Sequence, residues 1–277
     1  MTGLIRIVHP FPSTLDAVVT AAIVLIAGGT PVVALRLGAA MLMLQAAIGI
    51  ANDLVDEPQD RDRKFGKPLP RGLLTRRAAT ALFAIMLAIG LALSAISGPA
   101  VFVVAIVGVA TGLLYDGWLK ATAWSWLPFA LGVPLLPVYA WLGATGTIPA
   151  AFGLLIPAAA AAGAALALAN LLADLERDAQ AGTDTTATRL GATRAWVVNV
   201  ALQGLAVTIA VGSLVVAGGR GPGVVAAAAG GLLIAAGVAL SRGGSAHRRE
   251  RAWECQAAGV GLLGAGWVAA LVEAGAL

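Results

Sequence analysis

Nine long apolar segments alternate with short charged segments along the chain, and this pattern restricts the fold more than any other feature. Each apolar segment has 16 to 23 residues, and a helix crosses the hydrocarbon core of a bilayer in about 20 residues. Only 12% of the residues are charged, against about 25% in a typical soluble domain. We therefore predict an all-α membrane protein with nine transmembrane helices, at residues 17–35, 37–52, 78–96, 100–115, 126–142, 152–173, 195–217, 222–240 and 257–272.

Helices are the only spanning form that fits these segments, because backbone groups in lipid must bond within the chain. The alternating pattern of membrane barrel strands is absent. The single Cys255 excludes an internal disulfide framework. His9 and His247 are far from it in sequence, which gives no support to a Cys/His zinc site. We interpret His9, which precedes a proline, as a structural or interfacial residue, and we expect no cleaved signal peptide.

The basic residues are distributed unevenly between the two ends of the predicted helices. With nine spans, 16 of the 18 Lys and Arg residues fall on the side of the N-terminus, and only Arg36 and Arg220 fall on the other. The positive-inside rule then places the N-terminus and the large loops in the cytoplasm and the C-terminus outside. The positive charge indicates contact with membrane lipid. No pattern of base-stacking aromatic residues accompanies it, so we expect no nucleic-acid partner.

An Ala-Asn-x-Leu-x-Asp-x-x-x-Asp pattern occurs twice, at 51–60 and 169–178, and each copy ends at the predicted cytoplasmic boundary. At 100° per residue, its Asn and two Asp residues project within about 80° of one another on a helix. The residues concerned are Asn52, Asp56 and Asp60 in the first copy, with Asp53 at the edge of that face, and Asn170, Asp174 and Asp178 in the second.

Acidic residues at a membrane boundary require a positive partner. A central Asp costs about 2.5–3.5 kcal/mol to insert, and less near the interface. Mg²⁺ prefers carboxylate oxygens and is usually shared with substrate phosphates. If the two faces meet, they surround one cavity with at least four carboxylates, so we predict a site for Mg²⁺ and a diphosphate. The alternative, that each acid only caps a helix end, explains two matching copies less well.

The two copies also match motifs of a known family. Residues 52–60 fit N-D-x-x-D-x-x-x-D, and residues 174–187 fit D-x-x-x-D followed by G-x-x-[ST]-x-A, with Gly182, Thr185 and Ala187. At these residues the chain resembles the UbiA family of intramembrane prenyltransferases. The resemblance covers nearly the whole chain and implies a single domain over 1–277. It also implies a ring of nine helices in two pseudo-repeated halves, around a central cavity that opens to lipid.

The resemblance implies roles for individual residues. The implied metal ligands are Asn52, Asp53, Asp56, Asp60, Asp174 and Asp178. The implied diphosphate-binding residues are Asn52, Arg63, Lys64, Lys67, Lys120 and Asn170. The implied catalytic residues are Asp56, Asp60, Asp174, Asp178 and Tyr115.

The chain departs from the family pattern at three places. It has Lys67-Pro68-Leu69-Pro70 where many members have Arg-Pro-Leu-Pro, and Lys lacks the planar fork of Arg. A Tyr-x-x-x-Lys element has one extra residue here, between Tyr115 and Lys120. We interpret Asp116 within it as a loop residue, and the alternative is that it accepts the proton released in the implied reaction. Asp184 occupies a position where some members carry a basic residue.

The implied reaction starts from an allylic isoprenoid diphosphate. Metal and Lys or Arg stabilise the departing diphosphate, and a dry apolar chamber protects the allylic cation until an acceptor, expected to be aromatic, captures it. Gln45 lies seven residues before Asn52, on nearly the same helix face. It either lines the cavity beside the acceptor or bonds to another helix.

One alternative function remains open from the residues, and two others fit them less well. A prenyl diphosphate cyclase uses the same metal site without a second substrate. A CDP-alcohol phosphatidyltransferase has its acidic pairs in one short stretch, whereas here Asn52 and Asn170 are 118 residues apart. A transporter with inverted repeats binds its substrate at mid-depth, whereas these acidic clusters lie at one face of the membrane.

Overall fold

The computed structural model describes residues 6–60 and 67–277, with residues 59 and 60 described by their backbone alone. This part of the chain contains nine α-helices, one π-helical turn and no β-strand, so the predicted helix count and fold class are confirmed. The helices are α1 Pro10–Ile26, α2 Pro31–Asp60, α3 Arg76–Ala95, α4 Pro99–Leu114, α5 Leu127–Thr145, α6 Phe152–Gln180, α7 Thr186–Ala217, α8 Pro222–Ser241 and α9 Ala246–Glu273.

Eight of these helices are long and apolar enough to cross a membrane, and α1 is a shorter apolar helix of 17 residues. Many of their large apolar side chains point away from the protein: Val216 is 89% exposed, Leu35 74% and Leu232 73%. Monomeric proteins in water rarely expose apolar surface of this extent. Such a surface is suited to contact with lipid.

The predicted span 17–35 is wrong. Helix α1 ends at Ile26, and α2 begins at Pro31. Gly28 between them has a φ of 83°, a left-handed conformation that glycine adopts without steric cost. Proline suits the start of a helix because its missing N–H would have no helical partner there. Apolar residues continue through this turn, so hydropathy alone does not reveal it.

Several helices are longer than their apolar segments. Helices α2 and α6 continue past their predicted ends, residues 52 and 173, to Asp60 and Gln180. Helix α7 begins at Thr186, and its axis is interrupted by Gly191, which has a φ of 75°. The polar extensions of α2 and α6 carry the acidic motifs, so both motifs are fully helical.

The first compact unit comprises Met1–Gly117 and Leu142–Gly146. Within it, α2 packs against α1, α3 and α4. A buried cluster near the first motif joins the start of the chain, α2, the 67–75 loop and α3. Its members are Ile7, Ile50, Leu69 and Ala79.

The second unit comprises Trp118–Trp141 and Thr147–Leu277. Its central element is α6, in which every residue from 161 to 169 is buried. Helices α7 and α9 pack on α6, and α8 packs on α9. The α8–α9 contact is very close: a Cβ on Gly230 would lie 2.3 Å from the backbone nitrogen of Leu263. Small residues of this kind allow membrane helices to touch through their backbones.

The sequence repeat is also a repeat of local structure. Helices α2 and α6 have 30 and 29 residues, and each carries its motif in its last turns. The helix that follows each of them begins with a threonine cap. The Thr75 hydroxyl accepts from the Ala78 N–H at 3.2 Å, and the Thr185 hydroxyl accepts from the Thr188 N–H at 3.2 Å. Such caps satisfy a backbone donor that the helix leaves without a partner.

Candidate active site

The first motif buries two carboxylates against one cation. Asp53 and Asp56 are 2% and 8% exposed. The Lys67 ammonium lies 2.8 Å from Asp53 Oδ1 and 3.3 Å from Asp56 Oδ2. Three of the residues that the sequence assigned to the site are thus in direct contact. Both carboxylates thus lie against the same ammonium group, which brings opposite charges together at the end of α2.

The Lys-Pro-Leu-Pro stretch explains how Lys67 reaches the motif. The Leu69 side chain is buried in the cluster with Ile50 and Ala79. Backbone bonds from Gly72 N to Leu69 O, at 2.9 Å, and from Leu73 N to Pro68 O, at 3.0 Å, close the turn behind it. The buried leucine therefore anchors the loop and holds the neighbouring Lys67 over the carboxylates.

His9 is a member of this cluster that the sequence analysis missed. Its Nε2 lies 3.1 Å from Asp53 Oδ1. It has a φ of 47° and is the one non-glycine residue with a positive φ in the part of the chain that the structure describes. A Cβ on Gly49 would lie 2.9 Å from the His9 ring, so the glycine makes room for the imidazole. The interpretation of His9 as purely structural has to be extended: it contacts a motif carboxylate.

Asn52 and Asp116 form a second contact at this site. The Asn52 amide donates to Asp116 Oδ1 at 2.7 Å, and Asp116 is 7% exposed. The interpretation of Asp116 as a loop residue is wrong, since it lies in the π-helical turn Tyr115–Leu119. A π-turn accommodates one residue more than an α-turn. This explains the extra residue between Tyr115 and Lys120.

The second motif forms an accessible stripe on a buried helix. Asn170, Asp174 and Asp178 are half-buried, whereas residues 171–173 beside them are buried. Asp174 Oδ1 accepts from Arg177 Nη1 at 2.7 Å, one turn along the same helix. This stripe is therefore accessible to a ligand at the end of α6.

Arg249 is one of the 16 basic residues assigned to the side of the N-terminus, and it supports the second motif from α9. It is 8% exposed and donates to the carbonyls of Leu172 and Gly244, each at 2.6 Å. It also pairs with the carboxylate of Glu176. Since Leu172 and Glu176 flank Asp174, this one guanidinium ties α9 to the motif-bearing end of α6.

The Gly-x-x-Thr-x-Ala element forms the turn after the second motif. Gly182 has a φ of 69°, and the Thr183 N–H donates to the Asp178 carbonyl at 2.9 Å, a bond that ends α6. Thr185 caps α7, and Ala187 is fully buried. In the exposed turn, the Arg189 guanidinium holds the pKa of the Asp184 carboxyl below its usual range. These residues shape the backbone around the motif.

The side chain of Asp60, and Arg63 and Lys64 entirely, lie outside the described residues. Among the side chains that are described, no three carboxylate, imidazole or thiol groups gather as a metal site. Asp53 and Asp56 nevertheless fit a hard cation, because Mg²⁺ usually binds one or two protein carboxylates together with phosphate oxygens and water. The donor set is that of a metal shared with a phosphate substrate.

Comparison with known proteins places these features in one family. Residues 17–263 match the model of the UbiA prenyltransferase family. The chain is 31% identical over 197 residues, 68% of either protein, to a digeranylgeranylglyceryl phosphate synthase of Methanoregula boonei.

Solved structures show the same fold. The apo structure of a UbiA homolog from Aeropyrum pernix K1 superposes with a TM-score of 0.76 at 19% identity, over 92% of this chain and 96% of that one. A UbiA homolog from Archaeoglobus fulgidus bound to DMAPP and Mg²⁺ gives 0.67 at 21% identity, over 77% and 78%. With the family model matched along most of its length, this chain belongs to the UbiA prenyltransferase family and is a multi-pass membrane prenyltransferase.

Proposed function

We propose that this enzyme transfers a prenyl group from an allylic isoprenoid diphosphate to a hydroxyl group of a glyceryl phosphate, in a reaction that requires Mg²⁺. The observation that carries the proposal is the pair of buried carboxylates, Asp53 and Asp56, that share the Lys67 ammonium. Opposite charges packed in this way suit a ligand that brings both a cation and an anion. A metal-bound diphosphate is such a ligand.

Both motifs take part in binding in this proposal. The carboxylates and amides that hold Mg²⁺ and the diphosphate are Asn52, Asp53, Asp56, Asp60, Asn170, Asp174 and Asp178. When bound, Mg²⁺ neutralises charge that builds on the leaving diphosphate. Lys67 turns from the carboxylates to the diphosphate oxygens, and it is assisted by Arg63, Lys64, Lys120 and the Tyr115 hydroxyl. The apolar helices around the site exclude water from the allylic cation.

Two comparisons support the choice of substrates. A homolog of the same fold is bound to DMAPP and Mg²⁺, which supports an allylic diphosphate as donor. The relative at 31% identity is named for a prenylated glyceryl phosphate, which favours an alcohol as acceptor. The aromatic acceptor expected from the sequence and the cyclase without an acceptor remain the alternatives, and a choice of acceptors in one assay separates all three.

The test is a product analysis with purified full-length protein in detergent. Allylic diphosphates of increasing length are incubated with Mg²⁺ and either a glyceryl phosphate, a phenolic acid or no acceptor. We expect mass spectrometry to show an ether of the glyceryl phosphate and an equal amount of diphosphate. A product with a new bond to an aromatic ring, or an acceptor-independent hydrocarbon, would contradict the proposed acceptor.

A further inference from the structure

A polar pair outside both motifs lies deeper in the first unit. The Gln45 amide of α2 donates to Asp16 Oδ2 of α1 at 2.6 Å. Gln45 precedes Asn52 by seven residues, which places it on nearly the same helix face and roughly 10 Å further from the motif end of α2. The pair therefore lies on the apolar side of the first motif, about two helical turns from Asn52.

Asp16 is on the side of α1 that faces α2. Ser13 and Thr20, one turn to either side of it, are buried. Below it, α1 and α2 touch closely, since a Cβ on Gly38 would lie 3.1 Å from the Ala17 carbonyl. The Asp16 side chain itself is only half-buried, so part of the carboxylate is accessible.

An acidic residue at this depth of an apolar helix is unusual. A carboxylate within an apolar helix is costly and is usually functional. Two neutral polar side chains would bond α1 to α2 equally well without a charge. Among the described residues, Gln45 is the one hydrogen-bond partner of Asp16, and it holds Oδ2. A carboxylate oriented through one oxygen while the other stays accessible has the arrangement of a general base and its positioning residue.

We propose that Asp16 is the base that removes the hydroxyl proton of the acceptor, and that Gln45 positions it. This inference rests on the proposed function, and it specifies the acceptor as an alcohol. The donor C–O bond breaks and the diphosphate leaves with its electron pair. An oxygen lone pair of the acceptor forms the new C–O bond, the O–H bond breaks, and the proton passes to the accessible Asp16 oxygen. The products are an ether, diphosphate and a protonated Asp16, which later returns its proton to water.

The test compares two acceptors that differ in one atom. A glyceryl ether phosphate with one hydroxyl group and its thiol analogue are supplied with an allylic diphosphate and Mg²⁺ at pH 9. A thiol is far more acidic than an alcohol and is ionised in substantial part at this pH, so its reaction depends much less on a base. We expect Asp16→Asn to lower ether formation by about 100-fold or more, the usual contribution of a general base, but to lower thioether formation far less. Asp16→Glu should recover part of the ether-forming rate.

Gln45→Leu separates a catalytic carboxylate from a bond that only joins two helices. Gln45→Leu removes the hydrogen bond between α1 and α2 but keeps the Asp16 carboxylate. We therefore expect it to lower ether formation less than Asp16→Asn does. Equal losses in the two variants, or equal losses with alcohol and thiol, would overturn the role of Asp16. A wild-type enzyme that prenylates an aromatic carbon would overturn it too, while leaving prenyl transfer intact. A wild-type enzyme that releases no diphosphate from any donor would overturn the proposed function itself.

Discussion

In this structure the Lys67 ammonium contacts the carboxylates of both Asp53 and Asp56, and all three side chains are mostly shielded from solvent. Breaking a buried ion pair by removing one partner leaves an uncompensated charge and costs about 3–5 kcal/mol. Among the described residues, Lys67 is the cation that contacts both carboxylates, so its loss should destabilise the metal-free protein. The same reasoning makes the lysine dispensable for stability once a divalent cation is present.

Removal of the Lys67 charge tests this dependence. We expect Lys67→Met to lower the unfolding temperature in detergent without divalent cations, because Asp53 and Asp56 then repel each other. Added Mg²⁺ should raise the unfolding temperature of the variant more than that of the wild type, since ligand binding stabilises the folded state by mass action. Thermal unfolding followed by intrinsic fluorescence, with and without Mg²⁺, measures both effects.

Arg76→Met is the matched control. Arg76 of α3 pairs with Glu57 of α2 at 2.7 Å, but the Arg76 side chain is 61% exposed. Solvent reaches this pair from the Arg76 side, and ion pairs open to solvent contribute about 1 kcal/mol or less, so this variant should lose less stability than Lys67→Met. If both variants behave alike, or if Mg²⁺ stabilises Lys67→Met no more than the wild type, the Lys67 interpretation fails.

Arg249 provides a second prediction at this scale. Arg249→Lys removes the planar fork that reaches Leu172 O, Gly244 O and Glu176 together. We expect a loss of about 2–3 kcal/mol, because at least one buried carbonyl loses its partner. The matched variant Arg251→Lys changes an exposed side chain that pairs with Glu254 and should be neutral. Denaturant unfolding of the full-length variants measures both effects. Equal stabilities of Arg249→Lys and Arg251→Lys would refute the anchoring role of Arg249.

The spacing within each motif was enough to predict that Asn52 and Asp56 share a face of α2. It also predicted that Asn170 and Asp174 share a face of α6. Spacing was not enough for His9, which meets Asp53 across 44 residues of sequence. Arg249 likewise meets Glu176 across 73 residues. These contacts depend on how helices pack. A local pattern does not contain that information.

At the scale of the helix, hydropathy predicted which segments are helical better than where they end. The break between α1 and α2 lies inside a continuous apolar run and depends on Gly28 and Pro31. In the sequence, the π-turn at Tyr115–Leu119 was evident only as one extra residue in the Tyr-x-x-x-Lys element. A chain that inserts a residue in a helix either bulges or forms a loop. Packing of Asp116 against Asn52 is consistent with the bulge.

The contact between α8 and α9 leads to an element-scale prediction. Gly230→Ala places a Cβ 2.3 Å from Leu263 N, a backbone atom that moves only if the helices separate. Overpacking of this kind costs about 1–3 kcal/mol. We therefore expect a lower unfolding temperature for Gly230→Ala, measured in detergent. The adjacent Gly231 has its nearest neighbour, Val207, at 4.0 Å, and alanine favours a helix, so Gly231→Ala should be neutral or stabilising. The opposite order of the two variants would contradict the close packing.

At the scale of the whole molecule, the distribution of charge predicts the orientation in the membrane. Sixteen of 18 basic residues were assigned to the side of the N-terminus, so we expect the C-terminus outside the cytoplasm. Alkaline phosphatase fused after Leu277 should be active in a bacterial host, because its disulfides form only in the oxidising compartment. The same fusion after Ala181, in the turn that follows the second motif, should be inactive. Activity in the reverse pattern would show that the orientation is inverted.

The central claim is that the acidic motifs of this prenyltransferase bind Mg²⁺ and diphosphate. Its most direct test is the rate of Mg²⁺-dependent diphosphate release from an allylic diphosphate, in the presence of acceptor. The wild type is compared with Asp56→Asn, Asp174→Asn and the control Glu57→Gln, which alters a neighbouring acid bonded to Arg76. We predict losses of about 100-fold or more in both Asp variants, a size typical of removing electrostatic stabilisation of a leaving group, and little change in the control. Undiminished release in either Asp variant, or release without Mg²⁺, would contradict the account.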